Sequence, residues 1–367
     1  LPDMRFAPPN PLRIADRASG LNAPSVRSYN ERLVLSLLLQ NEGTTRLEIG
    51  EKTGLSAQTV SVIVRSLEQE GLVAKGEAQR GRVGPPTIPM MLNPEGAFSV
   101  GVSFGAWSAD VVVIDFVGGV RFHKAHAYAE LHPTATEAPL QAAIEAAVEV
   151  VPAHLRDRIA GIGLAVPDEA TIGDDLMRLV GRDLPSAQAR IESALGLPVF
   201  MQNDITAAAS GESLFGVARS LSDFVFFYLG ARLHSRLILN HQIYNGKAGA
   251  SSDVGLSNLA DALAELGMTF RPLNEWPDLT GTAKPVYDAW RLRARTRIRS
   301  SVEALLDFVR VQSIVLSTYA PLAVAELLRA EIAEMLPGID VQLGRGMISP
   351  KAWGAASLPY HSRFMVQ

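Results

Sequence analysis

The sequence contains no cysteine. That absence excludes disulfides, thiolate zinc sites, iron–sulfur clusters and a cysteine nucleophile. A membrane-spanning run is also lacking: the densest apolar stretch, Leu33–Leu39, is far short of the ~20 residues a spanning helix needs. No charged-then-apolar leader is visible, and the expectation is a cytoplasmic protein with no membrane association. Charged residues are 20 % and hydrophobic residues 47 % of 367 positions. That balance excludes wholesale disorder and suffices for two or three buried cores.

A net charge of −4 argues against a nucleic-acid binder only as an average. Up to Met90 there are 11 Lys and Arg against 9 Asp and Glu, and after it 23 against 29. From Gln79 to Met90 there are two Arg and no acid. The chain therefore reads as a small basic head on a larger acidic body.

Residues 1–24, proline-punctuated and without an apolar period, read as a flexible arm. Residues 25–94 read as the head. A helix is predicted over Ser28–Gln40, with Leu33, Val34, Leu37 and Leu38 at helical spacing. A second covers Thr45–Thr53, with Leu47 and Ile49 inward, and Gly54-Leu55-Ser56 makes a tight turn. A third covers Ala57–Glu70, capped by Ser56, with Val60, Val64 and Leu67 on one face and Gly71 as its stop. Two β-rich runs, Leu72–Ala78 and Thr87–Leu92, then flank a basic tip. Three helices followed by a hairpin is the plan of a winged helix-turn-helix.

In such a head the third helix enters the major groove, where Gln pairs with adenine and Arg with guanine or phosphate. Ser56, Ala57, Gln58, Thr59, Ser61 and Arg65 form the predicted reading face. Arg80, Gly81 and Arg82 form a wing tip suited to a narrow minor groove. The competing reading is a three-helix module used for dimerisation. Order of elements and an acid-free tip favour double-stranded DNA.

From residue 95 on the texture is α/β. Strands are predicted at Ser99–Phe104, Asp110–Asp115, Val120–Ala127, Ile159–Val166 and Val199–Gln202, then at Phe224–Leu229, Ser235–Leu239 and Ser313–Leu316. Helices are predicted at Thr136–Val150, Ala283–Arg310 and Pro321–Leu336. Runs of strands giving way to strand–helix alternation, twice over, imply a duplicated body.

Several of these residues carry a resemblance. Gly54-Leu55-Ser56, Thr59-Val60, Leu67, Gly71-Leu72-Val73 and Leu92-Asn93-Pro94 resemble the regulators of the ROK family (repressor, open reading frame, kinase). In the body, Gly161–Pro167, Leu197-Pro198-Val199, Gln202-Asn203-Asp204, Ala207–Ala209, Glu212, Phe215-Gly216, Tyr244, Gly246 and Gly354-Ala355-Ala356 are similar to that family's segments. The resemblance implies an N-terminal winged helix-turn-helix followed by a duplicated actin/hexokinase-like, ribonuclease H-like α/β body. It implies a body over 95–367 in two lobes, about 95–203 with a C-terminal helix and 204–345.

The resemblance also shows departures. Where a kinase of the family has an Asp-x-Gly-Gly-Thr phosphate turn, this chain reads Ser103-Phe104-Gly105-Ala106-Trp107. Its second phosphate loop reads Gly230-Ala231-Arg232-Leu233-His234-Ser235-Arg236, and the Gly-Gly at the nucleotide base is Ser317-Thr318. The family's zinc-binding Glu-x-Gly-His is Asp253-Val254-Gly255-Leu256, with no thiolate following. The expectation is no catalytic residue, no cofactor and no metal.

Asn203 and Asp204 match the pair that binds sugar hydroxyls in the family. They equally suit a helix cap. Asp253 stands where the family has a sugar-binding Glu, and Asp168 follows Pro167 where the family has Gly. Arg232, His234 and Arg236 alternate, either to meet an acidic ligand or as a solvated edge; Arg291, Arg293, Arg295, Arg297 and Arg299 spread round a helix. The expected function is a DNA-binding regulator, a repressor, acting as a homodimer or homotetramer and answering to a sugar or sugar derivative. The alternatives are a regulator whose body is a ligand-free scaffold, and a sugar kinase.

Overall fold

The computed structural model describes residues 28–41, 43–78, 87–104, 108–127, 139–167, 184–244, 254–268, 276, 278–345 and 348–366. The predicted arm, Arg80, Gly81, Arg82, Trp107, Asp168, Gly246 and Asp253 lie outside them. The described residues up to Ala207, with those from Lys351 on, form one compact unit; those from Ala208 to Pro350 form a second.

The first unit begins with α1 (Tyr29–Gln40), α2 (Arg46–Thr53) and α3 (Ala57–Gln69), followed by β1 (Val73–Lys75) and β2 (Met90–Leu92). Local chemistry sets every helix start. Ser28 accepts from the Glu31 amide, Thr45 and Glu48 form a reciprocal capping box, and Ser56 accepts from the Thr59 amide. Gly54 ends α2 in the left-handed region, φ 74°, a conformation that disfavours any side chain. Val34, Leu35, Leu38, Ile49, Val60, Val64 and Leu67 close the small core. β1 and β2 pair antiparallel with Val73 opposite Leu92, completing the base of the wing.

Two sequence expectations fail here. Leu47 is 73 % exposed: residues two apart on a helix point to nearly opposite faces, so Leu47 and Ile49 cannot both turn inward. On α1 the buried stripe is Val34, Leu35, Leu38 and Leu39, with Leu33 and Leu37 only half-buried.

The rest of the first unit is a five-stranded sheet of β3 (Phe98–Phe104), β4 (Ser108–Asp115), β5 (Val120–Ala127), β6 (Ile159–Val166) and β7 (Val199–Asn203), with α4 (Pro139–Glu149) and α5 (Leu184–Leu195). Its order is β5-β4-β3-β6-β7, and β3 runs antiparallel to β4 and parallel to β6. α6 (Asp204–Leu214) starts directly from the end of β7.

The second unit contains β8 (Phe224–Leu229), β9 (Leu233–Leu239), β10 (Gln242–Tyr244), α7 (Leu256–Ala264), α8 (Lys284–Leu306), β11 (Ser313–Thr318), α9 (Leu322–Met335) and β12 (Asp340–Leu343). Its sheet order is β10-β9-β8-β11-β12, with β8 antiparallel to β9 and parallel to β11. Numbered within each sheet, both orders are the same permutation, and the parallel and antiparallel pairs fall in the same places. That is the duplication expected of the body. On α8, Trp290 is buried and donates to the carbonyls of Val254 and Gly255. The arginine run divides: Arg291 and Arg295, one turn apart, pair with Glu331 of α9, while Arg293 and Arg297 are exposed.

α10 (Pro350–Arg363) returns the chain to the first unit and lies against its sheet. A Cβ at Gly101 would sit 2.0 Å from the Ala352 carbonyl oxygen, and one at Gly163 1.8 Å from that of Ala355. Pro359 has no N–H for the Ala355 carbonyl four residues earlier, so that oxygen has lost its helical donor where it meets Gly163. Tyr360 is fully buried and donates to the carbonyls of Ala97 and Ile114, and Trp353 donates to that of Gly118.

Candidate nucleic-acid interface and ligand site

α3 presents two unlike faces. Val60, Ile63, Val64 and Leu67 are buried, whereas Ser56, Ala57, Gln58, Val62 and Arg65 are exposed and Ser61 half-buried. Gln58, Ser61, Val62 and Arg65 recur at spacings of three and four, so they share one strip of the helix. The strip holds no acid. Thr59, half-buried, takes part in the helix cap. Its amide and hydroxyl both meet the Ser56 hydroxyl, at 3.2 and 2.9 Å.

Val62 is an addition to the face expected from sequence. It is 61 % exposed, a position where an aliphatic side chain adds little to the core. The signal is present in the sequence, since Val62 is out of phase with Val60, Val64 and Leu67. Behind the strip, Arg46 pairs with Glu68 at 3.0 Å and Lys75 approaches the same carboxylate at 3.5 Å. The base of the wing is fixed to the sheet: Asn93 donates to the Gly71 carbonyl at 2.7 Å, and Arg158 donates to the Glu95 carbonyl at 3.2 Å.

At the β7–α6 junction both expected ligand residues are engaged internally. Asn203 accepts the amides of Ile205 and Thr206 at 3.1 and 3.2 Å, which is the capping geometry. Asp204 is 3 % exposed; one oxygen accepts the Ile205 amide at 2.8 Å and the other the Lys351 ammonium at 2.5 Å. Lys351, on the first turn of α10, lies 147 residues from its partner. Sequence reasoning does not single it out, because no local pattern marks so distant a pair.

The positions that the resemblance sets against a family kinase's nucleotide site are engaged within the fold. Ser103 is buried within β3. Thr318 is buried, with its hydroxyl donating to the Leu229 carbonyl at 2.7 Å and accepting the Ala320 amide. The carbonyls of Gly230 and Ala231 accept the amides of Leu256 and Ser257, which ties this loop to the start of α7. Leu256 is itself fully buried in the second core and offers no metal donor. On β9, His234 stands opposite Tyr228 and Arg236 opposite Phe226, on the alternate positions to those that enter that core.

A family model described as winged helix-turn-helix DNA-binding matches residues 27–74, and the ROK family model matches 99–266. The chain thus joins a winged helix-turn-helix head to a ROK domain. Among its relatives is an uncharacterised protein of Sinorhizobium fredii, 27 % identical over 92 % of both chains. The xylose repressor of Bacillus subtilis is 26 % identical over 63 % of this chain and 60 % of its own length. Among solved structures, a ROK family transcriptional regulator, homologue of the Escherichia coli MLC protein, superposes with TM-score 0.62 at 17 % identity, over 91 % of this chain and 96 % of that one. A ROK hexokinase from Thermus thermophilus superposes with TM-score 0.51 at 17 % identity, over 72 % and 98 %. The fold of this chain is therefore a winged helix-turn-helix followed by the actin/hexokinase-like body. Among its described residues no helix is long and apolar enough to cross a membrane.

Proposed function

We propose that this protein is a cytoplasmic transcriptional repressor whose ROK-like body answers to a sugar or sugar derivative without phosphorylating it. The exposed, acid-free strip of α3 carries the proposal. Joined to a ROK body, that strip makes a DNA-reading head on a sensing domain, and the likeness to a xylose repressor makes sugars the first ligand class to try. In this reading Gln58, Ser61, Val62 and Arg65 face base edges and phosphates, and Arg80 and Arg82 reach the minor groove. A homodimer or homotetramer would place two heads on the half-sites of a partly palindromic operator. Asn203, Asp204, Asp168 and Asp253 are the proposed ligand residues. Ser103, Ser317 and Thr318, in place of the residues that hold nucleotide in kinases, support sensing over phosphoryl transfer.

The decisive measurement is fluorescence anisotropy of the protein on DNA from upstream of its own gene, alone and with pooled sugars, sugar acids and sugar phosphates. Salt-dependent binding released by one pool is expected; ATP turnover on a hexose panel would overturn the reading. One observation favours a second reading, a regulator with a scaffold body: Asn203 and Asp204 already have internal partners. Calorimetry separates the two, since only the sensing reading expects heat of sugar binding that is lost in Asp204→Ala.

A further inference from the structure

α10 touches the ligand-site carboxylate at one end and the head at the other. Its first turn carries Lys351, whose ammonium lies 2.5 Å from Asp204, with side chains 17 % and 4 % exposed. At its last turn and just beyond it, the guanidinium of Arg32 on α1 donates to the carbonyls of His361 and Met365, at 3.0 and 2.6 Å. The Val366 amide donates to the Ser36 hydroxyl, also on α1, at 2.9 Å. Between these ends the helix is seated on Gly101 and Gly163 with no room for an added methyl group. Ala355 joins Ala165 and Ala207 in a small buried cluster, so the segment carrying Asp204 is packed against the same helix. Fourteen helical residues extend about 21 Å.

We infer that Lys351 is a positioning residue that couples the state of Asp204 to the seating of α1 in the DNA-binding head. With the ion pair made, α10 stays in the register that lets its C-terminal carbonyls hold Arg32. A ligand hydroxyl or cation that takes the Asp204 oxygen from Lys351 removes the anchor at the first turn. Such close packing resolves a shift in discrete steps, so α10 reseats as an element and its grip on α1 changes. The inference rests on reading Asp204 as a ligand residue, and it assigns to that site a route to the head within a single compact unit. Coupling of this kind requires different affinity for ligand in the two seatings.

The test is hydrogen–deuterium exchange of the full chain, comparing wild type with Lys351→Met, Asp204→Asn and Lys351→Arg. Loss of either partner is expected to speed exchange of the 29–40 segment by about fivefold or more, the scale of typical couplings, while residues 110–114 in the sheet keep their protection. Lys351→Arg should restore slow exchange. Unchanged exchange at 29–40 in both neutral variants overturns the inference, as does a rise spread equally over the sheet. The readout needs no DNA, so failure of the wild type to bind operator would remove the proposed function and leave this result to be judged alone.

Discussion

Gln58 and Val62 stand one turn apart on the exposed strip of α3, an amide followed by an aliphatic group. An amide reads adenine through its N6 and N7 edge, and a branched aliphatic side chain meets the methyl of thymine. Gln58→Ala and Val62→Ser should each relax preference at one base pair, costing about 1–3 kcal/mol of discrimination. Selection from a randomised operator pool checks this. Arg65→Ala should behave differently, weakening all sequences alike and lowering the salt slope by about one unit. Two glycines make a second contrast. At Gly54 an added Cβ meets nothing within 4 Å, so Gly54→Ala carries only the left-handed backbone cost, about 1–2 kcal/mol. At Gly163 the Cβ would run into the Ala355 carbonyl, and Gly163→Ala should cost about 1–3 kcal/mol by overpacking. Urea midpoints of the two variants measure both, and only the second should also unseat α10.

At the scale of elements, the capping box of α2 gives the head a pH dependence. The amide and hydroxyl of Thr45 donate to the Glu48 carboxylate at 2.7 and 2.8 Å. The backbone bond first, and the side-chain bond after it, hold the Glu48 carboxyl below its ordinary value. A carboxylate with a lowered folded pKa adds stability above its unfolded value and loses it as pH falls through the folded one. Wild type should therefore exceed Glu48→Gln in stability at neutral pH, and the gap should close in acid, as followed by denaturation of the head between pH 7 and 3. The same box shows why much of the fold is legible in the sequence. Ser28, Thr45, Ser56, Gly54 and Gly71 act on neighbours within a turn, so short stretches of chain disclose them. Alternating and continuous apolar runs disclose β3 to β8 for a similar reason. β12, a four-residue parallel edge strand with only Val341 buried, leaves no such pattern. The Lys351–Asp204 pair is illegible for the opposite reason: each residue looks ordinary locally, and only the tertiary fold brings the two together.

For the molecule as a whole, the basic excess up to Met90 and the acidic excess after it predict strong salt dependence of DNA binding despite the net negative charge. Each phosphate contact adds roughly 0.9 to the slope of log affinity against log salt. Titrations between low and physiological salt should give a slope that Arg80→Ala with Arg82→Ala reduces by about two units; an unchanged slope would discard the wing. The return of α10 to the first unit has a different kind of consequence, one that concerns time. Arg32 and the Met365 carbonyl it grips are separated by 333 residues. A ribosome adding about 5–20 residues per second makes α1 first and supplies its last partner tens of seconds later. During that interval Arg32 and Ser36 face water, and β3 and β6 lack the helix that will cover Gly101 and Gly163. The second unit, whose residues from Ala208 to Pro350 are contiguous, is under no such delay. Its chain can close before the head that precedes it is finished.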